Sequence, residues 1–427
     1  MFILLNKSYK SWFFIIFVIC FSRNEGDYMQ KIIQRPQYLE ALQNFKDKKL
    51  IKVVTGIRRC GKSTLFDLYC DYLQESGIKL SQIIRLNLES GDFYAIKDYE
   101  QLYSYIKTLI KPKQMNYIFI DEVQNIKDFQ KAVDSLFVLD NCDIYITGSN
   151  AYLLSGELAT LLSGRYVEIK MLPLSFKEYL SFFLDQTDLI LKYNNYLQNS
   201  SFHYTLYLAS KSEIIAYLEG IYNTILVKDI VARKKIADVS MLESIIEYLF
   251  DNIGNLCTST KIANTLTSAG RKISVATVET YINALQESFV IYKAGRYDLK
   301  GKQYLTTGSK YYIADVGLRY YLLGAKKADL GHILENIVYL ELLRRGYKVY
   351  VGKLYTAEID FIATNNESTE YYQIAYTAVE GDTLKRELAP LEAIKDNHQK
   401  FLLTLDFIPP VSHNGIKQLN VLDWLMK

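Results

Sequence analysis

The chain has 427 residues, a length that suggests about three domains, and a formal net charge of +3 at neutral pH. Apolar and aromatic residues make up 49% of it and only six residues are proline, which argues against long disordered segments. A net charge this close to zero neither requires nor excludes nucleic-acid binding, because a local basic patch matters more than the total charge of the chain. Five cysteines without metal-ligand spacing and four scattered histidines offer no zinc or Ser-His-Asp site and predict a cytoplasmic protein.

The first 28 residues contain an apolar stretch, SWFFIIFVICFS, which follows two lysines as in a secretory signal. The stretch is too short to span a bilayer comfortably, so no stable membrane insertion is expected. The codons for Glu25 to Tyr28 can contain a purine-rich ribosome-binding sequence just before Met29. We therefore predict that translation starts at Met29 and that residues 1–28 are leader; a weak membrane anchor is the alternative.

A phosphate-binding loop is predicted at residues 56–63, where TGIRRCGKST fits the spacing G-x-x-x-x-G-K-[ST]. An apolar run, KKLIKVVTG, precedes the loop and a helical pattern, KSTLFDLYCDYLQESG, follows it, so a buried parallel strand leads into a helix. Loop N–H groups and the helix N-terminus would then point at the phosphates of ATP. Lys62 would reach the outer phosphates and Ser63 would bind Mg²⁺; the alternative is a glycine-rich turn without a ligand. The predicted nucleotide-binding residues are Gly56, Arg58, Arg59, Cys60, Gly61, Lys62, Ser63 and Thr64.

The residues predicted to support ATP hydrolysis lie in NYIFIDEVQNI, where an apolar strand ends in Asp121 and Glu122. At the carboxyl end of a buried parallel strand, Asp121 can hold Mg²⁺ through water and Glu122 can polarise the attacking water. The predicted metal ligands are therefore Ser63 and Asp121. The next strand, CDIYITGSN, ends in Ser149 and Asn150, and we predict that Asn150 senses the γ-phosphate.

Arg165 ends the segment AYLLSGELATLLSGR, just before a fifth predicted strand. Arg165 can act as an arginine finger, supplied either in cis or to a neighbouring subunit of a homo-oligomer. A solvated turn arginine is an equal alternative.

Five segments together resemble a prokaryotic family of AAA-type ATPases with a C-terminal domain of unknown function: IIQRPQYLEAL, TGIRRCGKST, IFIDEVQ, ITGSNAYLLSGELATLLSGR and LPLSFKEYL. The resemblance continues through YNTILVKDIVARKKI, KYYIADVGLRYYLLG, GHILENIVYLELLRRGYKVYVGK and EIDFIA, and it covers Met29 to Lys427. It implies ATP binding and hydrolysis in a chain arranged similarly to archaeal origin-recognition ATPases. One departure is the Ser-Ser-Phe-His at residues 200–203, where relatives usually carry Gly-Gly-hydrophobic-Pro in the lid-region turn.

Three short helices and a hairpin are predicted between Met241 and Gly301, a pattern typical of a winged helix. The third helix, SVATVETYINALQES, has Ser274 as its N-cap and would be the recognition helix. It offers DNA no lysine or arginine on its exposed face, whose polar residues are Thr277, Glu279, Thr280 and Asn283. A basic wing in FVIYKAGRYDLKGKQYL can contact duplex DNA through Lys293, Arg296, Lys300 and Lys302. A purely structural or protein-facing winged helix is an equal alternative.

The segment after residue 325 resembles the restriction-endonuclease fold, in which carboxylates hold magnesium and a lysine assists the water. Glu335 lies on a predicted helix, and strand periodicity places Glu358 and Asp360 on one face. On the next strand, Gln373 stands in the carboxylate position and Ala375 in the lysine position. Metal binding and water activation are both weakened by these residues, so we predict a folded relic without nuclease activity.

The sequence therefore predicts an α/β protein with a P-loop NTPase (AAA+/ASCE) parallel sheet, a helical lid, a winged-helix unit and a restriction-endonuclease-like domain. The expected boundaries are residues 29–175 for the ATPase core, 176–239 for the lid, 240–325 for the winged helix and 326–427 for the C-terminal domain. The leading function is an ATP-driven switch that engages DNA or a DNA-bound partner. The alternatives are a signalling ATPase with protein partners only and an ATP-dependent nuclease.

Overall fold

The computed structural model describes residues 32–427 except 150–161, 163, 186, 302, 325–329 and 380. The predictions for residues 1–28, Asn150 and Lys302 therefore lie outside the described residues. Among the helices in the described ranges, none combines the length and apolarity needed to cross a membrane.

The first sheet has five parallel strands in the order β2-β3-β4-β1-β5. The strands are β1 (Ile51–Thr55), β2 (Ile83–Asn87), β3 (Asn116–Asp121), β4 (Cys142–Gly148) and β5 (Tyr166–Lys170). Every residue of β1, β3 and β4 is buried, which explains why these strands read as nearly continuous apolar runs. The predicted parallel sheet is confirmed, and the strand that leads into the P-loop lies at its centre, between β4 and β5.

Helices cover both faces of this sheet: α1 (Pro36–Asn44), α2 (Lys62–Glu75), α3 (Tyr99–Leu109) and α4 (Phe129–Phe137). The helix after the P-loop, α2, is fixed to the sheet by aromatic packing. The ring centroids of Phe66 and Phe119 are 5.1 Å apart, and those of Phe119 and Tyr145 are 4.6 Å apart. Contacts of this kind hold the helix N-terminus, and with it the P-loop, at a defined position beside the strands.

A helical segment follows, with α5 (Phe176–Leu180), α6 (Leu189–Asn199), α7 (Lys211–Thr224), a π-helix (Ile225–Val231) and α8 (Ala232–Lys234). In the turn after α6, Ser200 has φ 80° and ψ 154°, a conformation that favours glycine. The Ser201 N–H donates to Asp315 Oδ2 at 2.6 Å, and a Cβ built on Gly317 would lie only 2.5 Å from the Ser200 Cα. Contacts from a distant segment therefore hold this turn with a serine at position 200.

Three helices, a hairpin and a further helix come next: α9 (Val239–Asp251), α10 (Ser259–Ser268), α11 (Val275–Glu287), β6 (Ile291–Asp298), β7 (Gln303–Ile313) and α12 (Val316–Leu323). Ser274 caps α11 as expected, because its Oγ accepts the Thr277 N–H at 3.1 Å. Glu279 and Thr280 are exposed on this helix. The element order agrees with a winged-helix unit, and that assignment stays a prediction.

The remaining elements are α13 (Leu330–Arg344), β8 (Lys348–Leu354), β9 (Ala357–Thr364), β10 (Thr369–Ile374), α14 (Gly381–Glu392), β11 (Gln399–Thr404), β12 (Val411–His413), β13 (Ile416–Asn420) and α15 (Val421–Met426). They form a mixed sheet in the order β12-β13-β11-β10-β9-β8-β6-β7. The hairpin strand β6 pairs in parallel with β8, with Arg296 beside Val351 and Asp298 beside Lys353. The sheet thus continues across the boundary expected at residue 325.

Candidate active site

The P-loop follows the carboxyl end of β1, and two glycines in it adopt backbone conformations that other residues rarely reach. Gly56 has φ 152° and Gly61 has φ 103°. A Cβ on Gly56 would lie 2.1 Å from the carbonyl oxygen of Met171, so a side chain there would collide with the main chain. A strand, a glycine-bearing loop and the N-terminus of α2 together make an arrangement that suits phosphate groups.

Lys62 and Glu122 meet at this loop. The Lys62 Nζ donates to the carbonyl oxygens of Gly56 at 3.0 Å and Ile57 at 3.3 Å, and it lies 3.8 Å from Glu122 Oε1. Both side chains are buried. The structure therefore brings the predicted phosphate-binding lysine and the predicted base together, and the lysine is held by loop carbonyls that a phosphate can replace as partners.

Asp121 is fully buried and both of its carboxylate oxygens have donors. Thr147 Oγ1 donates to Oδ1, and Arg85 Nη2 donates to Oδ2 at 3.2 Å. The same Arg85 nitrogen donates to the main-chain oxygen of Ser63 at 3.3 Å. Arg85 thus links the two residues predicted to bind the metal ion, and the side chain of Ser63 is exposed at the start of α2.

Sequence reasoning missed Thr147 and Arg85. Thr147 accepts the Glu122 N–H at 3.0 Å while it donates to Asp121, so one hydroxyl orients both acidic residues. Each missed residue interrupts an apolar strand of the sheet, in CDIYITG and in IIRLN. A polar residue near the carboxyl end of a strand that neighbours the acidic one was the signal that could have found them.

Glu122 is held in an unusual backbone conformation, with φ 54° and ψ 48°. A left-handed backbone at a non-glycine residue costs on the order of 1–3 kcal/mol and is concentrated at functional sites. Its Oε2 accepts from Ser149 Oγ at 3.1 Å and from Gln124 Nε2. These two donors fix the carboxylate on one side while its other oxygen faces Lys62. Asn150, the predicted sensor, lies outside the described residues.

Arg58, in the middle of the P-loop, is held by two carboxylates that sequence reasoning did not identify. Its Nε and Nη2 donate to the two carboxylate oxygens of Asp229 at 3.1 Å and 3.2 Å. Its Nη1 donates to Glu89 Oε1 at 3.0 Å. Asp229 belongs to the π-helix, so an arginine of the loop is bound by the segment that leads to the C-terminal half of the chain.

The remaining loop residues differ in exposure and in their partners. Arg59 is exposed with φ 67°, and Thr64 is half-buried in the first turn of α2. Burial raises the pKa of the Cys60 thiol, which argues against a nucleophilic role. The Cys60 carbonyl accepts from Arg35 Nη1 at 3.1 Å, and Arg35 pairs with Glu178 at 2.7 Å. Arg35, also missed from the sequence, thereby connects the loop to α5.

Arg165 lies at the opposite end of the sheet from the P-loop. Its carbonyl accepts the N–H of Ile51, the first residue of β1, whereas the loop follows Thr55 at the other end of that strand. A strand of this length spans about 16 Å at roughly 3.3 Å per residue. The structure therefore does not bring Arg165 to the P-loop of its own chain, and a role in the site of a neighbouring subunit stays a proposal.

The three acidic residues predicted from the nuclease resemblance surround a buried lysine in the second sheet. The Nζ of Lys310, in β7, lies 2.9 Å from Glu335 Oε1, 2.8 Å from Glu358 Oε1 and 3.8 Å from Asp360 Oδ1. Burial and the charge of Glu335 raise the pKa of Asp360, although Lys310 opposes the shift. A lysine ammonium thus stands among these carboxylates, and it comes from a strand that the sequence pattern did not implicate.

Gln373 and Ala375 occupy the positions expected from the sequence, on β10 and just beyond its end. The Gln373 amide donates to Glu387 Oε2 of α14 at 3.2 Å, and Ala375 is buried. Across the residues that the structure describes, no group of three or more His, Cys, Asp or Glu residues is arranged to hold a metal ion. The loss of nuclease chemistry stays a prediction.

The basic residues of the hairpin differ in exposure. Lys293 and Lys300 are exposed, and the Lys300 Nζ lies 4.7 Å from the ring centroid of Tyr355. Arg296 is half-buried in β6, beside Val351 of β8. Two ammonium groups therefore remain open to an anionic partner, on a hairpin that is built into the larger sheet.

The sheet order, the glycine loop after β1 and the acidic pair at the end of β3 define a P-loop NTPase of the AAA type. The AAA-domain family AAA_14 matches residues 48–180, and a domain of unknown function, DUF8612, matches residues 190–329. A Haemophilus influenzae protein described as uncharacterized is 44% identical over 400 residues, which cover 93% of this chain and 99% of that protein. The chain belongs to this family of AAA-type P-loop ATPases, which bind ATP.

The chain is also similar to an archaeal protein and to an archaeal ATPase of known structure. The uncharacterized protein MJ1544 of Methanocaldococcus jannaschii is 29% identical over 389 residues, covering 86% of this chain and 82% of that protein. The Walker-type ATPase PABY2304 of Pyrococcus abyssi is 16% identical in a structural match that covers 68% of this chain and 96% of that one. The TM-score of this match is 0.49.

Proposed function

We propose that the protein hydrolyses ATP with Mg²⁺ and uses the ATP cycle as a switch that engages DNA or a DNA-bound partner. Hydrolysis is supported by one observation, the convergence of the predicted groups where β1 and β3 end. Lys62 lies 3.8 Å from Glu122, and a single Arg85 nitrogen contacts both Asp121 and Ser63. The groups that would bind phosphate, hold a metal ion and activate water therefore belong to one connected site.

Ser63 and Asp121 fit a Mg²⁺ ion, because hard oxygen donors are the ligands that this ion prefers. The Ser63 side chain is exposed at the helix N-terminus, where it would bind the ion directly, and Asp121 would hold it through water. When bound, Mg²⁺ neutralises charge that develops on the β- and γ-phosphates. Thr147 and Arg85 would keep the Asp121 carboxylate in place for this role.

Glu122 would orient and polarise the attacking water. Its carboxylate is already fixed by Ser149 and Gln124, so little reorganisation is needed when the water arrives. Lys62 would exchange the carbonyls of Gly56 and Ile57 for phosphate oxygens. The lysine then neutralises negative charge in the transition state, in which charge is spread over the transferred phosphoryl group.

Replacing Lys62 tests the binding site. We expect Lys62→Ala to weaken ATP binding about 10- to 100-fold, because a charge-assisted hydrogen bond contributes about 1.5–3 kcal/mol. The measurement is a titration with a fluorescent ATP analogue, with Lys113→Ala as the control, since Lys113 is an exposed lysine remote from the loop in sequence. Undiminished binding in Lys62→Ala would show that residues 56–63 do not hold the nucleotide.

Exposed Lys293 and Lys300 support the DNA part of the proposal. We expect duplex DNA binding to weaken steeply with salt, and the double variant Lys293→Gln/Lys300→Gln to reduce the slope of log K against log salt by about 1 per lysine. The control is Lys385→Gln/Lys395→Gln, which removes two exposed lysines of the C-terminal region. Filter binding with and without ATP measures these slopes.

A signalling ATPase with protein partners only is the second candidate, and the absence of basic residues on the exposed face of α11 favours it. Weak DNA binding with equal slopes in both double variants would support this candidate. An ATP-dependent nuclease is the least supported candidate, because Gln373 and Ala375 stand where that chemistry requires a carboxylate and a lysine.

A further inference from the structure

The contact between Arg58 and Asp229 joins parts of the chain that are 171 residues apart in sequence. Arg58 belongs to the P-loop, and Asp229 belongs to the π-helix between α7 and α8. Both side chains are about nine-tenths buried. Glu89 accepts from the third donor, so one guanidinium faces two carboxylates, and these three groups together carry a net negative charge.

A triphosphate would compete with Asp229 for this guanidinium. Asp229 occupies the Nε and Nη2 donors in a two-pronged contact, and phosphate oxygens bind arginine through the same pair of donors. ATP also brings several negative charges towards two carboxylates, which repel them. A ligand shifts a conformational equilibrium by its difference in affinity for the two states, and the state in which Arg58 faces the phosphates is the one that ATP favours.

We propose that Asp229 is a positioning residue that withholds Arg58 from the nucleotide site and releases it to ATP. The inference rests on the proposed ATP binding at the P-loop. Once Arg58 turns to the phosphates, Asp229 is a buried carboxylate without its partner, an arrangement that is costly to keep. The π-helix must then move or admit water. Nucleotide occupancy thereby reaches the segment that leads into α9.

The π-helix is a suitable element for such a movement. Its i→i+5 hydrogen-bond pattern is rare in proteins and is found frequently at functional sites. Ile225, Leu226 and Ile230 of the same π-helix are buried in the core, so a shift of this helix would displace core side chains. ADP lacks the γ-phosphate and competes less strongly for Arg58.

The test is Asp229→Asn, which keeps the size of the side chain and removes its charge. We expect ATP to bind about 10-fold more tightly, with a smaller gain for ADP, because Arg58 is no longer withheld. Hydrogen exchange at residues 225–231 should be accelerated by ATP in the wild type, and should already be fast and insensitive to ATP in the variant. Lys234→Gln, which breaks the nearby pair with Glu287 at 2.7 Å, is the matched control and should behave like the wild type.

Other outcomes would overturn the inference. Weaker ATP binding in Asp229→Asn, similar to that of Arg58→Ala, would mean that Asp229 holds Arg58 in place for the phosphates. Unchanged affinity and exchange would mean a purely structural ion pair. If Asp229→Asn does not fold, Glu89→Gln removes the other carboxylate and should give a smaller gain in ATP affinity; an unchanged or lower affinity would contradict withholding. Failure of the wild type to bind ATP would instead overturn the proposed function.

Discussion

Glu122→Gln protein should bind ATP with nearly wild-type affinity and hydrolyse it at least about 100-fold more slowly, the usual size of a general-base contribution. The amide keeps the shape of the side chain and an oxygen that accepts from Ser149, so the site should stay assembled. What it loses is the carboxylate that polarises the water. Single-turnover hydrolysis together with equilibrium binding separates the two effects, and Glu100→Gln, at an exposed carboxylate of α3, is the control.

Equal turnover in the wild type and Glu122→Gln would refute the proposed mechanism.

The Glu122→Gln protein also tests the role of Arg165, which lies too far from its own P-loop to act in cis. If Arg165 serves a neighbouring subunit, mixing Arg165→Ala with Glu122→Gln should restore part of the activity, because some interfaces then combine an intact base with an intact arginine. No recovery on mixing would favour the solvated turn arginine.

Lys310→Met should lower the free energy of unfolding by about 3–5 kcal/mol, the range observed when one partner of a buried ion pair is removed. The substitution leaves the buried Glu335 and the half-buried Asp360 without their cation. Burial lowers the pKa of Lys310, but the three carboxylates raise it above the ordinary lysine value. The stabilisation is therefore fully present below the ordinary pKa of lysine and is lost only as the pH rises through the pKa of the folded state.

Urea unfolding of Lys310→Met measures this effect, and Lys353→Met is the matched control. Lys353 stands opposite Glu358 in the pairing of β8 with β9, but it is half-exposed. Adding Asp360→Asn to Lys310→Met should recover part of the lost stability, because it removes one of the carboxylates that the lysine no longer neutralises. Equal losses in the two lysine variants would show that the position of Lys310 among the carboxylates has no special importance.

Features that depend on neighbouring residues could be predicted from the sequence. The P-loop follows from fixed spacing between Gly56 and Ser63, and the acidic pair follows from an apolar run that ends at Asp121. Ser274 was identifiable as a helix cap because its hydroxyl serves an N–H three residues later. In each case the geometry is set within a single loop, strand end or helix turn, so the tertiary fold adds little information.

Features that depend on distant residues could not be predicted in the same way. Lys310 of β7 contacts Glu335 of α13 and Glu358 and Asp360 of β9. These contacts depend on how a strand and a helix from distant parts of the sequence pack together, which no local sequence pattern specifies. Arg165 is a different case. It precedes β5, which is parallel to β1, so it must lie where the strands begin, whereas the P-loop lies where β1 ends. The predicted parallel sheet was therefore enough to show that Arg165 is remote from the P-loop of its own chain.

The pairing of β6 with β8 restricts the movement of the hairpin relative to the rest of the second sheet. A free wing swings about its own hinge, whereas this hairpin is coupled to a sheet of eight strands by main-chain hydrogen bonds. A partner bound to Lys300 would therefore contact a hairpin that the second sheet holds in place. Removing the chain after residue 325 would leave one side of β6 unpaired and open to another molecule's strand. The C-terminal region thus fixes the position of the hairpin through the strand β8.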